Sequence, residues 1–281
     1  MAATAQLPRF TFTFALSRIT ATAVLLGAIA VGPALAQDGA ADLLKTRACA
    51  GCDLRLISLR GLQLGGVDLT RANLREADIK EADLSGAKLA GVDLRRAELE
   101  RASLANADLT GASMRGVDME KANLAGATLA KSDLRDADLN ETRLEGADLS
   151  ATDLRNGSLI RAAAMGASFA EAKMDGVDLE RADISGANFS GARLMQADLD
   201  RVIARGADFR GADMTGARLS SADLSGANLT DADLTDALLR NTRLPGADLS
   251  TARGLSQDRI INACGDASTR LPDGITLKPC S

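Results

Sequence analysis

From Asp53 to Ala252 a large apolar residue returns at every fifth position, without one insertion or deletion. Leu54, Leu59, Leu64, Leu69 and Leu74 open the series, and Leu234, Leu239, Leu244 and Leu249 close it. Stepping by fives from 54 to 249 gives 40 units, and only Ala164 and Ala204 supply something other than Leu, Ile, Met or Phe. Two positions before nearly every large residue stands a smaller one, as at Ala72, Ala77, Ala82 and Ala87, with Val67, Val92, Val117 and Val177 as bulkier versions. The residue between them is most often Asp or Asn, as at Asp68, Asn73, Asp78 and Asp83. An α-helix advances about 100° per residue, so a five-residue step would smear the leucines around every side. A strand alternates faces, so an odd step would throw successive leucines to opposite sides. A chain that turns a corner in each unit brings every small and large pair back to one axis, and that is the architecture the pattern predicts.

The outward positions carry a second period, of twenty. Gly66, Gly86, Gly126, Gly146, Gly166, Gly186, Gly206, Gly226 and Gly246 form a column interrupted only by Asn106. Arg55, Arg75, Arg95, Arg115, Arg135 and Arg155 form another. Phe169, Phe189 and Phe209 form a third, in the inward slot. Four units per coil is the simplest cause. The 40 units then make about 10 coils, and at a strand spacing of about 4.8 Å the tract would be roughly 45 to 50 Å long.

Runs such as Ala82-Asp83-Leu84-Ser85-Gly86 and Ala227-Asn228-Leu229-Thr230-Asp231 resemble the A(D/N)LXX motif of pentapeptide-repeat proteins, over about 200 residues. The resemblance implies an all-β fold, a right-handed quadrilateral β-helix with the Leu and Ala positions inside. It implies little about activity.

Four segments follow: a signal peptide over 1–36, an N-terminal cap over 37–52, the repeat tract over 53–252 and a C-terminal cap over 253–281. Arg9 and Arg18 precede an apolar run from Ile19 to Val31, then Pro33 and Ala34-Leu35-Ala36. This order reads as an export signal cleaved after Ala36, and it places the mature chain in the periplasm or outside the cell, with no membrane attachment after cleavage. Solenoids need caps because a terminal coil otherwise exposes apolar side chains and strand edges. Leu43 and Leu44 lie in a helix-compatible stretch before the tract, and after it Ser256 is placed to cap a short helix through Ile260, Ile261 and Ala263.

Composition narrows the function. The chain has no His, Trp or Tyr, which removes imidazole general bases and most stacking platforms for nucleobases. We therefore expect no enzyme, no cofactor and no direct nucleic-acid binding. Cys49 with Cys52 and Cys264 with Cys280 fall at opposite ends of the tract, too far apart to cross-pair. In an oxidising compartment each pair is a candidate disulfide. No His and no second CxxC complete a zinc set, so no metal site is expected.

The Arg column at 55, 75, 95, 115, 135 and 155 is a candidate interaction surface for an extended anion. Asp53, Asp93, Asp133 and Asp153 lie two residues before four of these arginines, so a solvated salt-bridge lattice competes with that reading. The Phe column reads as a core stack, with Ala164 and Ala204 each one unit before a Phe. The Gly column and the neighbouring Thr70, Ala90, Thr110, Ala130, Ser150, Ala170 and Ser190 make two sides small and nearly uncharged, which suits self-association or a broad protein partner.

Some pentapeptide-repeat proteins engage DNA gyrase through an acidic, DNA-like surface, and the tract holds 33 acidic against 25 basic residues. However, 19 of the acids are Asp in the slot before the large residue, where a short acceptor suits local backbone bonding. The expectation is an exported, non-enzymatic scaffold for protein interaction. A gyrase-directed DNA mimic is the alternative.

Overall fold

The computed structural model describes residue 43 and residues 45–280, so the expected signal peptide lies outside the described residues, as does most of the stretch between it and Cys49. Within the tract, one parallel bridge per unit joins the residue before each large apolar residue to its counterpart twenty positions on, from Asp53↔Asn73 through Asp233↔Arg253. Each unit is therefore one side of a four-sided coil, and each coil stacks on the next in register.

The backbone explains why five residues suffice for one side. In the unit 83–87, the N–H of Asp83 donates to the Leu62 carbonyl of the preceding coil (2.9 Å), and Leu84 donates to Ser103 of the next (2.7 Å). Gly86 donates to Ala105 (2.8 Å), and Ala87 closes the corner by donating to Leu84 (3.0 Å). Four of five N–H groups are thus satisfied by backbone. The fifth, on Ser85, is too far around the corner for a carbonyl and donates to the Asp83 carboxylate at 2.9 Å. A backbone donor without a partner is costly, so this slot selects Asp and Asn. Thr70 with Asp68, Thr110 with Asp108, Ser190 with Asn188 and Thr230 with Asn228 repeat the arrangement.

The second corner residue has positive φ in every unit from Gly51 to Gly246. Glycine adopts that conformation without penalty, which accounts for the Gly column. Even so, residues such as Arg101, Lys121 and Arg161 occupy equivalent corners at φ 58°, 60° and 58°. The local strain, of order 1 kcal/mol each, is held by the hydrogen bonds on both sides of the corner.

Inside the coil the large and small columns are sealed from solvent. The inward residues from Leu69 to Leu249 are buried almost completely. Burying each Leu contributes about 1.5 to 3 kcal/mol relative to exposure. Phe169, Phe189 and Phe209 are fully buried and stack face to face, with centroids 4.7 Å apart and planes at 7° for the first pair, 5.0 Å and 15° for the second. Where Thr replaces Ala in the small slot its hydroxyl is satisfied locally. Thr142 and Thr152 donate to Leu139 and Leu149 at 2.6 and 2.7 Å.

At the C-terminal end the pattern loosens rather than stops. Arg243 pairs with Cys264 and Asp248 with Arg270, so an irregular further turn with inserted residues sits on the last regular coil. The helix expected after Ser256 is only a single 3-10 turn, Gln257–Arg259, and Ser256 makes no side-chain cap bond to it. The reason is that Leu239 and Asn241 require the carbonyls of Arg259 and Ile261 as ladder acceptors (3.0 and 2.7 Å), and a longer helix would consume them. Two short strands, β1 (Cys264–Gly265) and β2 (Lys278–Pro279), pair in parallel over this turn.

Candidate functional site

Because the interior is filled and the backbone spent, any recognising chemistry lies on the outward columns and the two caps. Each of the six column arginines is engaged. Arg55, Arg95, Arg135 and Arg155 bind the carboxylates of Asp53, Asp93, Asp133 and Asp153, at 2.6 Å for the first, third and fourth. Arg115 has Ser113 two residues earlier instead, and turns to Asp136 of the next coil at 2.9 Å. Arg75 reaches Glu76 at 3.9 Å.

The carboxyls of Asp93, Asp133 and Asp153 are held below the ordinary aspartate range by these guanidinium bonds, against partial burial, which raises them. A shallow groove of about 240 Å³ runs among Arg115, Arg135, Asp136, Arg155, Asn156 and Asp175. Its wall carries nearly matched charges, so the column is a salt-bridge lattice, the kind of exposed pairing that adds little stability and weakens with salt.

The next side carries a second lattice with a different balance. Lys80 lies between Glu98 (3.0 Å) and Glu100, and Lys121 bonds Glu120 and approaches Glu141 (3.7 Å). In-register stacking also aligns like charges. Asp118 is raised above the ordinary aspartate value by burial and by the carboxylates of Glu100 and Asp138, although the Glu120 N–H opposes this. Asp198 is raised in the same way, by burial and by Asp200 and Asp178. The Gly column and the Thr/Ala/Ser column leave the remaining corners low.

Two disulfides close the ends, Cys49–Cys52 and Cys264–Cys280. Cys49 sits in the inward large slot and Cys52 in the inward small slot, so the first spans one corner of the opening coil. The second ties the β2 end back to β1. Among the described residues there is no cluster of His, Cys, Asp or Glu arranged to hold a metal ion, and no helix is long and apolar enough to cross a membrane. The structure also shows outward residues that the repeat pattern did not single out, Met165 and Ile203, both exposed. The signal was present in the columns: Ile203 stands where other units place polar residues.

Comparison with protein families matches the pentapeptide repeats, in 8 copies, over residues 52–89, 82–120, 118–156, 165–201, 192–231 and 232–254. The chain belongs to the pentapeptide repeat family, and its fold is the right-handed β-helix of that family. No curated protein matches it. Among solved structures, it is similar to HetL, a pentapeptide repeat protein involved in regulating heterocyst differentiation in the cyanobacterium Nostoc sp. strain PCC 7120. The two are 29% identical over 84% of this chain and 97% of that one, with a TM-score of 0.33. It is also similar to QnrB1, a plasmid-mediated fluoroquinolone resistance protein, at 17% identity over 76% and 94% of the two chains, TM-score 0.33. A pentapeptide repeat protein of the Arabidopsis thaliana thylakoid lumen is 31% identical over 41% of this chain and 73% of its own, TM-score 0.19.

Proposed function

We propose that this protein is an exported, non-enzymatic scaffold that binds a protein partner through the fixed outward columns of its coil. The observation that carries the reading is the accounting of the backbone. Four N–H groups per unit go to neighbouring coils or the corner, and where the slot holds Asp or Asn the fifth goes to that side chain. What remains free is a periodic array of outward side chains held at strand spacing, which is suited to recognition by shape and charge rather than to bond making. The absence of His, Trp and Tyr supports the non-enzymatic part. The sequence order of Arg9, Arg18, the Ile19–Val31 run and Ala34-Leu35-Ala36 supports export, and two disulfides suit an oxidising compartment.

The same accounting weakens a DNA-mimicking role. Such a role needs carboxylates free to stand in for phosphates, whereas the slot aspartates are drawn to their own backbone and to arginines. The test is fractionation of the native host followed by N-terminal sequencing and crosslinking in place. The expected result is a mature chain beginning at Gln37, crosslinked to a protein through outward residues. A cytoplasmic chain that retains Met1 and inhibits gyrase supercoiling at stoichiometric concentration would overturn the proposal.

A further inference from the structure

One side of the coil breaks its own outward rule within three consecutive turns. Its central column holds polar residues such as Asp83, Ser103, Asn123 and Asp223 in other coils, but Ala163 and Ile203 here. Neither side chain offers the acceptor that Asp183 gives the Ser185 N–H at 3.0 Å, a lack shared by Arg143 of the same column, so what sets this stretch apart is that its outward side chains are apolar. Ile203 is 39% exposed. Among the described residues three large apolar side chains are exposed, and two of them, Met165 at 45% and Ile203, border this one side.

The corner beside it carries Arg161, Arg181 and Arg201 in successive coils. Glu180 serves two of them, Arg181 at 3.5 Å and Arg201 at 2.7 Å, while among the described residues no carboxylate pairs with Arg161. Nearby acids are already engaged, Asp183 by Ser185 and Asp200 by Arg218 and the Ser220 N–H. The result is an apolar strip flanked by a row of guanidiniums with positive charge to spare.

Spacing selects the form of the partner. Met165 and Ile203 lie two coils apart, about 9.6 Å along the axis at the strand spacing, and the arginines repeat at about 4.8 Å. An α-helix presents side chains one turn apart at about 5.4 Å, and at i and i+7 at about 10.5 Å, within about 1 Å of the axial separation, and because Met165 is a corner residue two positions past the column of Ile203 the helix would cross this side at a tilt. An extended strand repeats one face at about 6.8 Å and falls out of step at the first interval. We propose that this strip docks an acidic amphipathic helix of a partner protein, with apolar residues on Met165 and Ile203 and carboxylates along the arginine corner. The proposal rests on the scaffold reading and deepens it.

The strip can be altered without threatening the fold. Ile203→Asp restores the residue found in that column at Asp183 and Asp223, and Met165→Ser matches Ser185 and Ser225. The probe is a synthetic amphipathic helical peptide with leucines at i, i+3 and i+7 and glutamates along one flank, read by fluorescence anisotropy on the full mature chain. Saturable binding that weakens with salt is expected, reduced about tenfold or more by Ile203→Asp with Met165→Ser and by Arg161→Glu with Arg181→Glu. A lysine-flanked version should not bind. Equal binding of the lysine peptide, or unchanged affinity in either double variant, would overturn the proposal. Binding to phosphatidylglycerol vesicles without peptide binding would do the same. Crosslinks to a partner that map to other sides would leave the scaffold reading standing and remove this one.

Discussion

The packing of the phenylalanine column makes a prediction that separates cooperative filling of the core from simple hydrophobic content. Phe209 ends the stack, fully buried, with its ring 5.0 Å from that of Phe189, and its coil also contains Ala204 in place of a large residue. Truncating Phe209→Ala removes the transfer energy of a ring and leaves a cavity that a backbone laddered on both sides cannot collapse, so a loss of about 3 to 5 kcal/mol is expected. The sharper test is a double-mutant cycle. Phe209→Leu alone should cost about 1 kcal/mol or more, because a leucine does not reach the space left by Ala204. Ala204→Leu alone should overpack against the ring and cost about 1 to 3 kcal/mol. The double variant recreates the all-leucine coil seen at Leu54, Leu59, Leu64 and Leu69, and should lie close to the parent. The coupling between the two changes is then expected in the range of about 1 to 3 kcal/mol. Equilibrium urea unfolding followed by circular dichroism measures all four proteins. Additive losses within about 0.5 kcal/mol, or a Phe209→Ala cost under about 1 kcal/mol, would refute the compensating-volume argument.

Other consequences are open to measurement. Gly157 occupies the inward small slot at negative φ, between coils that place Ala137 and Val177 there, and a Cβ would lie 3.0 Å from the Leu154 carbonyl. That approach to a backbone carbonyl is tight, so Gly157→Ala should gain less in unfolding free energy, measured in urea, than the about 0.4 to 1 kcal/mol that restricting the unfolded chain contributes at an unstrained site. Replacing Cys264 and Cys280 by Ser opens a loop of sequence separation 16 and should cost about 3 kcal/mol, while the same change at Cys49 and Cys52, separation 3, should cost less. Asp118 has a raised folded-state pKa, so its ionised form is disfavoured by folding, and stability from this group is gained as pH falls through the raised value. Asp118→Asn keeps the acceptor for Glu120 and should raise the thermal midpoint at pH 7 but not well below pH 4. Asp266 has the opposite sign, lowered to about 2 by bonds from Ser268, from the Gly246 N–H and from Thr269. Its contribution is present above the unfolded value and disappears as pH falls from about 4 towards 2, and Asp266→Asn should abolish that part of the acid titration of stability.

How much of this was legible in the sequence depended on whether the governing interaction repeats. Leu54 to Leu249 announce the coil because burial acts on each unit alike, and the period of twenty gives four sides because outward neighbours in stacked coils share an environment. The Asp and Asn slot was readable as a local backbone acceptor for the same reason, though which N–H it serves emerges only when the other four are placed. The cap after Ala252 obeys no period. Propensity near Ser256 favours a helix, but the carbonyls of Arg259 and Ile261 are claimed by Leu239 and Asn241, a tertiary demand that local sequence does not display. Arg115 illustrates the remaining limit. The sequence sets an aspartate two residues before only four of the six column arginines, and which neighbouring acid Arg115 takes, with Ser113 before it, emerges only from the stacked coils, as Asp136 one coil on.

A repeat chain offers an unusual way to separate structure from function, because every slot is tested against its local rule many times in one molecule. Deviations that serve the fold are compensated inside it. Ala204 gives up volume beside Phe209, and Thr142 in a small slot bonds the Leu139 carbonyl. Ser158 occupies the acceptor slot without serving Ile160, and Asn140 of the preceding coil supplies that N–H instead, at 2.8 Å. Ile203 differs in kind. It exposes a β-branched apolar side chain in a column that otherwise holds Asp, Asn, Ser, Gln, Arg or Ala. A deviation without internal compensation, placed beside surplus positive charge, is where an external contact would supply the missing free energy. By that criterion the arginine lattice, which satisfies its own charges, ranks below the Met165 and Ile203 strip as the candidate surface for the proposed partner.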